Sequence, residues 1–319
     1  MAFLSAQLLR FLRAVGVLAG VLVTVFVVAR AVPGDPAVNL LGEQAGEEEL
    51  AALRGRLGLD RPVGDQFRAY LGDIFDGSLG HSFQDGGPVV TVIARVLPFT
   101  VELALAGVLV ACIIAFPLGI LAALRKDTAL DSGALILAMV GIAVPNFWLG
   151  PLLIYLVCVR LGWLPDPGAG VLGLPSLVLP ALVLGTALAG KLTRMIRSSL
   201  LDVIHAEYVT AARARGLPER RVFVHHILRN SLVPVVTVLG LQLAALLTGA
   251  IVTEKVFARP GLGTLLLDAI QARDYPVVQG CVIVVAAIYV GVNWAVDGVY
   301  LLLDPRGAAA DAPAGEGRP

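Results

Sequence analysis

Residues 207–234, EYVTAARARGLPERRVFVHHILRNSLVP, form a strongly basic interruption between long apolar runs. Ala211, Ala212 and Ala214 sit among good helix formers, so 207–215 is predicted to be a short helix. Gly216 is its expected C-terminal stop, because glycine takes the left-handed conformation there at little cost. Pro218 suits the first turn of a second helix, where its missing N–H would have no intrahelical partner. The pattern predicts a helix, a glycine turn and a second helix lying outside a bilayer. A projection of this kind between two spans is a way to receive a push from a soluble partner. Arg213, Arg215, Arg220, Arg221 and Arg229 also admit two plainer uses: they enforce orientation and they meet anionic lipid headgroups.

The composition around this stretch is that of a membrane protein. The chain has 319 residues, of which 57% are hydrophobic and 15% charged. Soluble domains are about 45–50% apolar and about 25% charged. The formal net charge is zero, so the charge balance predicts no nucleic-acid partner. Cys112, Cys158 and Cys281 lie in or beside apolar runs without CxxC spacing, which favours packing over a metal or disulfide framework.

A helix needs about 20 apolar residues to cross a bilayer. Six runs meet or approach this: 11–28, 103–124, 135–156, 171–190, 232–253 and 282–303. The first, with Arg10 and Arg13 before it, is read as a retained span because no small-residue cleavage site precedes Pro33. A cytoplasmic N-terminus puts Arg125, Lys126, Lys191, Arg194, Arg197 and the basic stretch on the cytoplasmic side, as the positive-inside rule requires. Both termini are then inside.

Several motifs carry less than they promise. Residues 185–191, GTALAGK, match the start of a phosphate-binding loop, but Leu192 stands where Ser or Thr should ligate magnesium. No strand precedes it, so the match is read as chance. His81, His205, His225 and His226 have no ligand spacing, and no Ser-His-Asp or paired-carboxylate arrangement is found. Charges inside the spans are few, which argues against a proton or ion relay and so against a secondary transporter or channel. Asn293 and Asp297 are expected to make an interhelical hydrogen bond. Pro117, Pro145, Pro151 and Pro180 are expected either to break their helices or merely to kink them. Gly16 and Gly20 form a GxxxG, a weak packing signal. Glu254 and Lys255 could gate an external mouth, although a solvated pair at the interface is the plainer expectation.

The main segment outside the membrane is 31–98. It opens with PGDP at 33–36, continues with expected short helices at 47–57 and 66–75, and ends in the turn-rich DGSLGHSFQDGGP.

The pair Ala211-Ala212, three residues, then Gly216, with Glu207 a turn earlier, resembles the EAA loop of ABC-transporter permeases. Pro234 lies eighteen residues after Gly216, a spacing that fits the peptide-type branch better than the sugar-type branch. Together with PGDP, LGLDRP, GSLGHS and the closing NWAVDGVYLLLDPR, the chain resembles the dipeptide/oligopeptide/nickel-type permeases over nearly its whole length.

The resemblance implies an all-α polytopic membrane protein with six transmembrane helices, the ABC importer permease fold. It implies a cytoplasmic N-terminus and first span at 1–30, an extracytoplasmic domain at 31–98, a core at 99–303 with a coupling loop at 195–231, and a cytoplasmic tail at 304–319. The implied role is half of the translocation pathway for di- or oligopeptides; nickel or another small solute is the alternative. The chain is expected not to be an enzyme and to bind no cofactor, with ATP and Mg on partner ATPase subunits. Its implied partners are a second permease subunit, those ATPases, an extracytoplasmic substrate-binding protein or lipoprotein, and the bilayer of a bacterial inner membrane. The coupling residues would be Glu207, Ala211, Ala212, Arg215, Gly216, Leu217 and Arg220. Asn146, Gln242 and Thr248 are expected along the translocation path, and Asp35 and Glu254 at an external gate or docking surface.

Overall fold

A computed structural model of the chain describes residues 2–31, 33–170 and 173–303, apart from the side chains of 2–11, 248, 249, 297 and 299–303. The tail 304–319 lies outside the described residues, as do the side chains of Thr248 and Asp297. The described residues are helical, with no strand beyond one bridge between His81 and Pro88.

The helices are α1 (Ala2–Ala31), α2 (Pro36–Leu41), α3 (Glu47–Leu57), α4 (Val63–Phe75), α5 (Val89–Leu124), α6 (Ala129–Ala143), α7 (Asn146–Leu153), α8 (Leu174–Ile204), α9 (Glu207–Ala214), α10 (Glu219–Arg221), α11 (Arg229–Gly249), α12 (Ile251–Val256), α13 (Leu262–Ala272) and α14 (Tyr275–Leu303). Two π-helical stretches, Ile154–Arg160 after α7 and Val222–Leu228 between α10 and α11, widen the helical turn. Among the described residues, five helices are long and apolar enough to span a membrane, and six spans result if α6 and α7 with its π extension count as one bent span.

That bent pair corrects the regular span expected at 135–156. The axis turns by 96° between Ala143 and Asn146. Val144 is extended (φ −78°, ψ 117°), as the residue before a proline prefers, and Pro145 is extended too (φ −67°, ψ 137°). Pro151, Pro180 and Pro234 are by contrast carried inside continuous helices.

By its contacts the chain divides into two compact units, Met1–Thr100 with Pro260–Val290, and Val101–Arg259 with Gly291–Pro319. The first is built around 31–98 but also takes in 260–290. Phe26 of α1 packs edge-on to Phe67 (4.9 Å) and stacks on Tyr70 (5.5 Å) of α4. Val89 and Ile93 bury themselves against Leu262, Val277 and Cys281. Polar ties complete the unit. The Ser82 hydroxyl donates to Asp274 (2.6 Å), and the same carboxylate accepts from the Gln84 and Val277 N–H groups, so it holds the turn-rich loop and caps α14.

In the second unit α8 is the hub. Glycines let it approach its neighbours closely. A Cβ on Gly190 would lie 2.2 Å from the Ala138 carbonyl oxygen of α6, and one on Gly185 2.7 Å from Val110 of α5. These are two residues of the apparent phosphate-loop match. Their place in a helix contact gives them a packing role, which is what small residues supply in membrane helices. Gly16 and Gly20, in contrast, have nothing within 4 Å in this chain.

Candidate functional site

The basic stretch folds as a helix, a left-handed glycine and a helix. Glu207 opens α9, where a carboxylate complements the helix dipole. Gly216 sits at φ +74° with nothing within 4 Å of a Cβ built on it, so conformation rather than space requires glycine. Pro218 stands one position earlier than expected, as the extended N-cap of α10 (φ −62°, ψ 139°) with Glu219 first in the helix. Arg213 and Glu219 bridge the turn through two hydrogen bonds of 3.2 and 2.8 Å. The hydrogen bonds to Glu219 raise the Arg213 pKa further above its ordinary value.

One face of α9 is fixed to the unit. Val209 is fully buried and Ala212 nearly so, in a cluster with Leu192, Ile196 and Leu200 of α8, Val222 and Ile227 of the π stretch, and Val235 of α11. Burying one such aliphatic side chain contributes about 1.5–3 kcal/mol. The Ser199 hydroxyl donates to the Ser231 carbonyl (2.6 Å) and Asn230 Nδ2 to the Tyr208 hydroxyl (3.1 Å). The other face, with Glu207, Tyr208, Ala211, Ala214, Arg215, Gly216 and Arg220, is exposed. The expected coupling residues therefore separate. Ala211, Arg215, Gly216 and Arg220 point outward, Leu217 is half-buried on the core cluster, and Ala212 faces the chain's own core.

Sequence reading missed a bidentate ion pair between α6 and α8. Arg197 Nε and Nη2 of α8 donate to the two carboxylate oxygens of buried Asp131 in α6, at 2.6 and 2.7 Å, and the Asp127 N–H adds a third bond at 3.0 Å. The signal was weak, because Asp131 lies 66 positions away and outside the apolar run. A second missed pair is Arg259 with Glu102 (2.5 Å), where Arg259 also donates to the Ser176 hydroxyl (3.2 Å).

The remaining expected residues are scattered. Asn146 is half-buried at the start of α7, beside the 96° bend, and Gln242 is half-buried in α11. Asp35 caps α2 by accepting from the Ala37 N–H (2.9 Å) and pairs with Arg54 (2.6 Å), so helix capping and an ion pair account for it. Glu254 is fully buried, which corrects the solvated pair expected with Lys255. After α11 the chain does not run out to solvent but packs as α12 against α7 and α8, and a Cβ on Gly150 would lie 2.9 Å from Val256. The Asn293 side-chain oxygen is buried without a partner among the described residues, so the expected interhelical hydrogen bond does not form through that atom. No cluster of three metal-ligating side chains occurs among the described residues.

The family model described as binding-protein-dependent transport system inner membrane component matches residues 115–308. Its N-terminal companion matches residues 3–104. The chain belongs to this family. The permease has a 38% identical relative over 314 residues in the di/tripeptide transport system permease protein DppB of Pseudomonas aeruginosa, covering 90% of this chain and 94% of that one. The oligopeptide transport system permease protein AppB of Bacillus subtilis is 36% identical over 306 residues, covering 93% and 97%. A solved structure of the MetNI methionine ABC transporter, in inward facing conformations, aligns with a TM-score of 0.54 at 17% identity, over 68% of this chain and 98% of that one. At that identity the likeness concerns the fold, and the fold is that of an ABC importer permease. The chain is accordingly a membrane-spanning transport component of a system that depends on a binding protein.

Proposed function

We propose that this permease forms half of the translocation pathway of an ATP-driven peptide importer, taking di- or oligopeptides from an extracytoplasmic binding protein. The observation that carries the coupling part is α9: one face is locked into the α8–α11 core while the other offers Ala211, Arg215 and the Gly216 turn to a partner. The peptide substrate is supported by relatives named for peptide transport at 36–38% identity over nine-tenths of the chain.

In this reading both termini are cytoplasmic, 31–98 is the core of an extracytoplasmic domain, and 195–231 is the coupling loop. A homologous permease supplies the other half, and separate ATPase subunits bind ATP and Mg and hydrolyse the nucleotide. Closure of the ATPases presses on the exposed face of α9, and the apolar cluster under Val209 passes the displacement to α8 and α11. In this reading Asn146, half-buried beside a helix break, and Gln242, half-buried in α11, would meet a polar solute along the path.

The test is affinity purification of the chain from its native membranes in mild detergent, followed by reconstitution and uptake of a labelled dipeptide. Co-purification of an ATPase and a second permease, with ATP-dependent uptake that needs the binding protein, is the expected result. Recovery of the chain alone, with uptake driven by an ion gradient, would overturn the reading.

A further inference from the structure

Helices α6 and α8 run antiparallel and meet at three levels. At the first, a Cβ on Gly141 would lie 2.8 Å from the Thr186 carbonyl oxygen. At the second, a Cβ on Gly190 would fall against the Ala138 carbonyl oxygen. The third is the ion pair of Asp131 with Arg197. Asp131 stands seven residues before Ala138, and Arg197 seven residues after Gly190. The second and third levels are therefore about 10 Å apart on both helices, at about 1.5 Å per residue. Equal spacing keeps the two helices in one register over that length.

The two glycine levels lie about one turn apart, so they act nearly as a single point and leave the helices free to rock about it. The ion pair supplies a second point farther along. Arg197 Nε and Nη2 donate to separate oxygens of Asp131 at 2.6 and 2.7 Å, a fork that fixes angle as well as distance. The Asp127 N–H donates to the same carboxylate (3.0 Å) from the turn between α5 and α6, where Asp127 is left-handed (φ +62°). The carboxylate side chain is 5% exposed and the guanidinium 22%, so water competes little for these bonds. A buried pair adds little stability over apolar residues of the same volume, so stability alone does not account for it. By contrast, α5 meets this stretch of α8 through apolar contact: a Cβ on Gly119 would lie 2.8 Å from the Ile196 Cβ.

Arg197 lies between Gly190 and Ile204, on the part of α8 that leads into α9. A push received at α9 reaches Arg197 before it reaches the glycine contacts. Through Asp131 it takes the first turn of α6 with it. The seam ends at Gly141, two residues before the end of α6 at Ala143, where the chain turns by 96° into Asn146 and α7.

We infer that Asp131 and Arg197 are positioning residues for transport: their forked pair makes α6 follow α8, so that movement of α9 is delivered to the bend at 143–146. The link to α9 rests on the coupling reading given above, whereas the two-point attachment rests on the geometry of α6 and α8. Without the pair, α8 rocks on the glycine contacts and leaves α6 behind. ATP hydrolysis then continues while the bend stays still.

The experiment uses the purified complex, with its ATPases and binding protein, reconstituted in liposomes. Asp131→Asn combined with Arg197→Gln removes both charges and leaves no lone buried charge, and thermal melting checks that this neutral variant folds. Spin labels at Leu130→Cys and Ser198→Cys, two exposed positions beside the pair, report the distance between α6 and α8 by double electron–electron resonance. Cys112, Cys158 and Cys281 are replaced by alanine in these preparations. When nucleotide is trapped with vanadate, the distance is expected to hold with the native pair and to shift or broaden in the neutral variant. Uptake of labelled dipeptide per ATP hydrolysed is expected to fall at least about fivefold in that variant, the lower end of coupling between distant sites, while hydrolysis persists. An unchanged ratio in the folded variant would overturn the proposal, because apolar contact then suffices. Hydrolysis and uptake falling in proportion would overturn it in favour of a role in assembly. The distance with the native pair decides alone if the variant does not fold: a change on trapping means that the pair opens, and overturns the proposal. A wild-type complex that hydrolyses ATP without taking up dipeptide would overturn the peptide-import reading and leave the distances to judge the pair.

Discussion

Around α9 the buried atoms are apolar and the arginines face outward, whereas around Tyr70 two polar atoms are buried without partners and arginines line a cavity. The first arrangement suits a surface that must move as one body with the helices beneath it, because apolar packing resists shear without depending on particular bonds. The second leaves hydrogen-bonding capacity unmet, which costs stability. Apolar packing and unpaired polar burial are thus separated within one chain and can be disturbed independently.

The sharpest way to break the rigid side is at Gly190. An alanine there would set its Cβ 2.2 Å from the Ala138 carbonyl oxygen, a backbone atom that cannot give way. Forcing α6 from α8 is expected to cost about 3 kcal/mol, the upper end of overpacking penalties, and to show as a marked fall in melting temperature in detergent. Next is Val209→Ala. Emptying this fully buried position should cost about 2 kcal/mol and loosen α9, so that reconstituted complexes hydrolyse ATP at near-normal rates while uptake falls. A comparable loss of hydrolysis would show that α9 serves assembly rather than transmission. Gly216→Ala comes third. Its φ of +74° makes a side chain strained by about 1 kcal/mol, and with nothing nearby to clash the effect should appear in the ratio of transport to hydrolysis more than in melting.

The polar side predicts the smallest effect on stability. Tyr70→Phe removes an unpaired hydroxyl, so the melting temperature should hold or rise slightly. The wild-type hydroxyl, pushed up to about 12 from an ordinary 10.0, should titrate near that value by ultraviolet absorbance. A phenol bound more tightly to its proton in the folded state stabilises fully below pH 10, and this contribution fades as the pH rises from about 10 to about 12. Tyr70→Phe should abolish that alkaline loss.

Much of this was legible in the sequence because it is local. The helix at 47–57 has the bounds expected of it, with Gly58 left-handed at its end, and the turn at Gly216 was readable from alanines followed by glycine and proline. Length and hydropathy gave the spans, but not the bend in the run at 135–156. What escaped was non-local or depended on which neighbour a residue meets. Nothing in the sequence near 260–290 announces that α13 and the start of α14 complete the unit formed by 31–98. Asp131 and Arg197 are ordinary charges until α6 and α8 pack together. Four prolines looked equivalent in the apolar runs, yet only Pro145 coincides with a break, because there the preceding Val144 leaves the helix as well. Ala212 was grouped with Ala211 by type, and one step of about 100° around the helix separates the inward residue from the outward one.

The length of α8 has a mechanical consequence. Its 31 residues extend about 46 Å, some 16 Å more than the apolar thickness of a bilayer. From the tight contact at Gly190 to Ile204, where α9 begins to fold back, is about 21 Å of straight helix. On the coupling mechanism proposed above, with the Gly190 contact as fulcrum, a stroke of about 4 Å at the α9 end would swing this arm through roughly 10°. On that mechanism the ATPases would need a travel of only a few ångströms, provided that the joint at Val209 has no play.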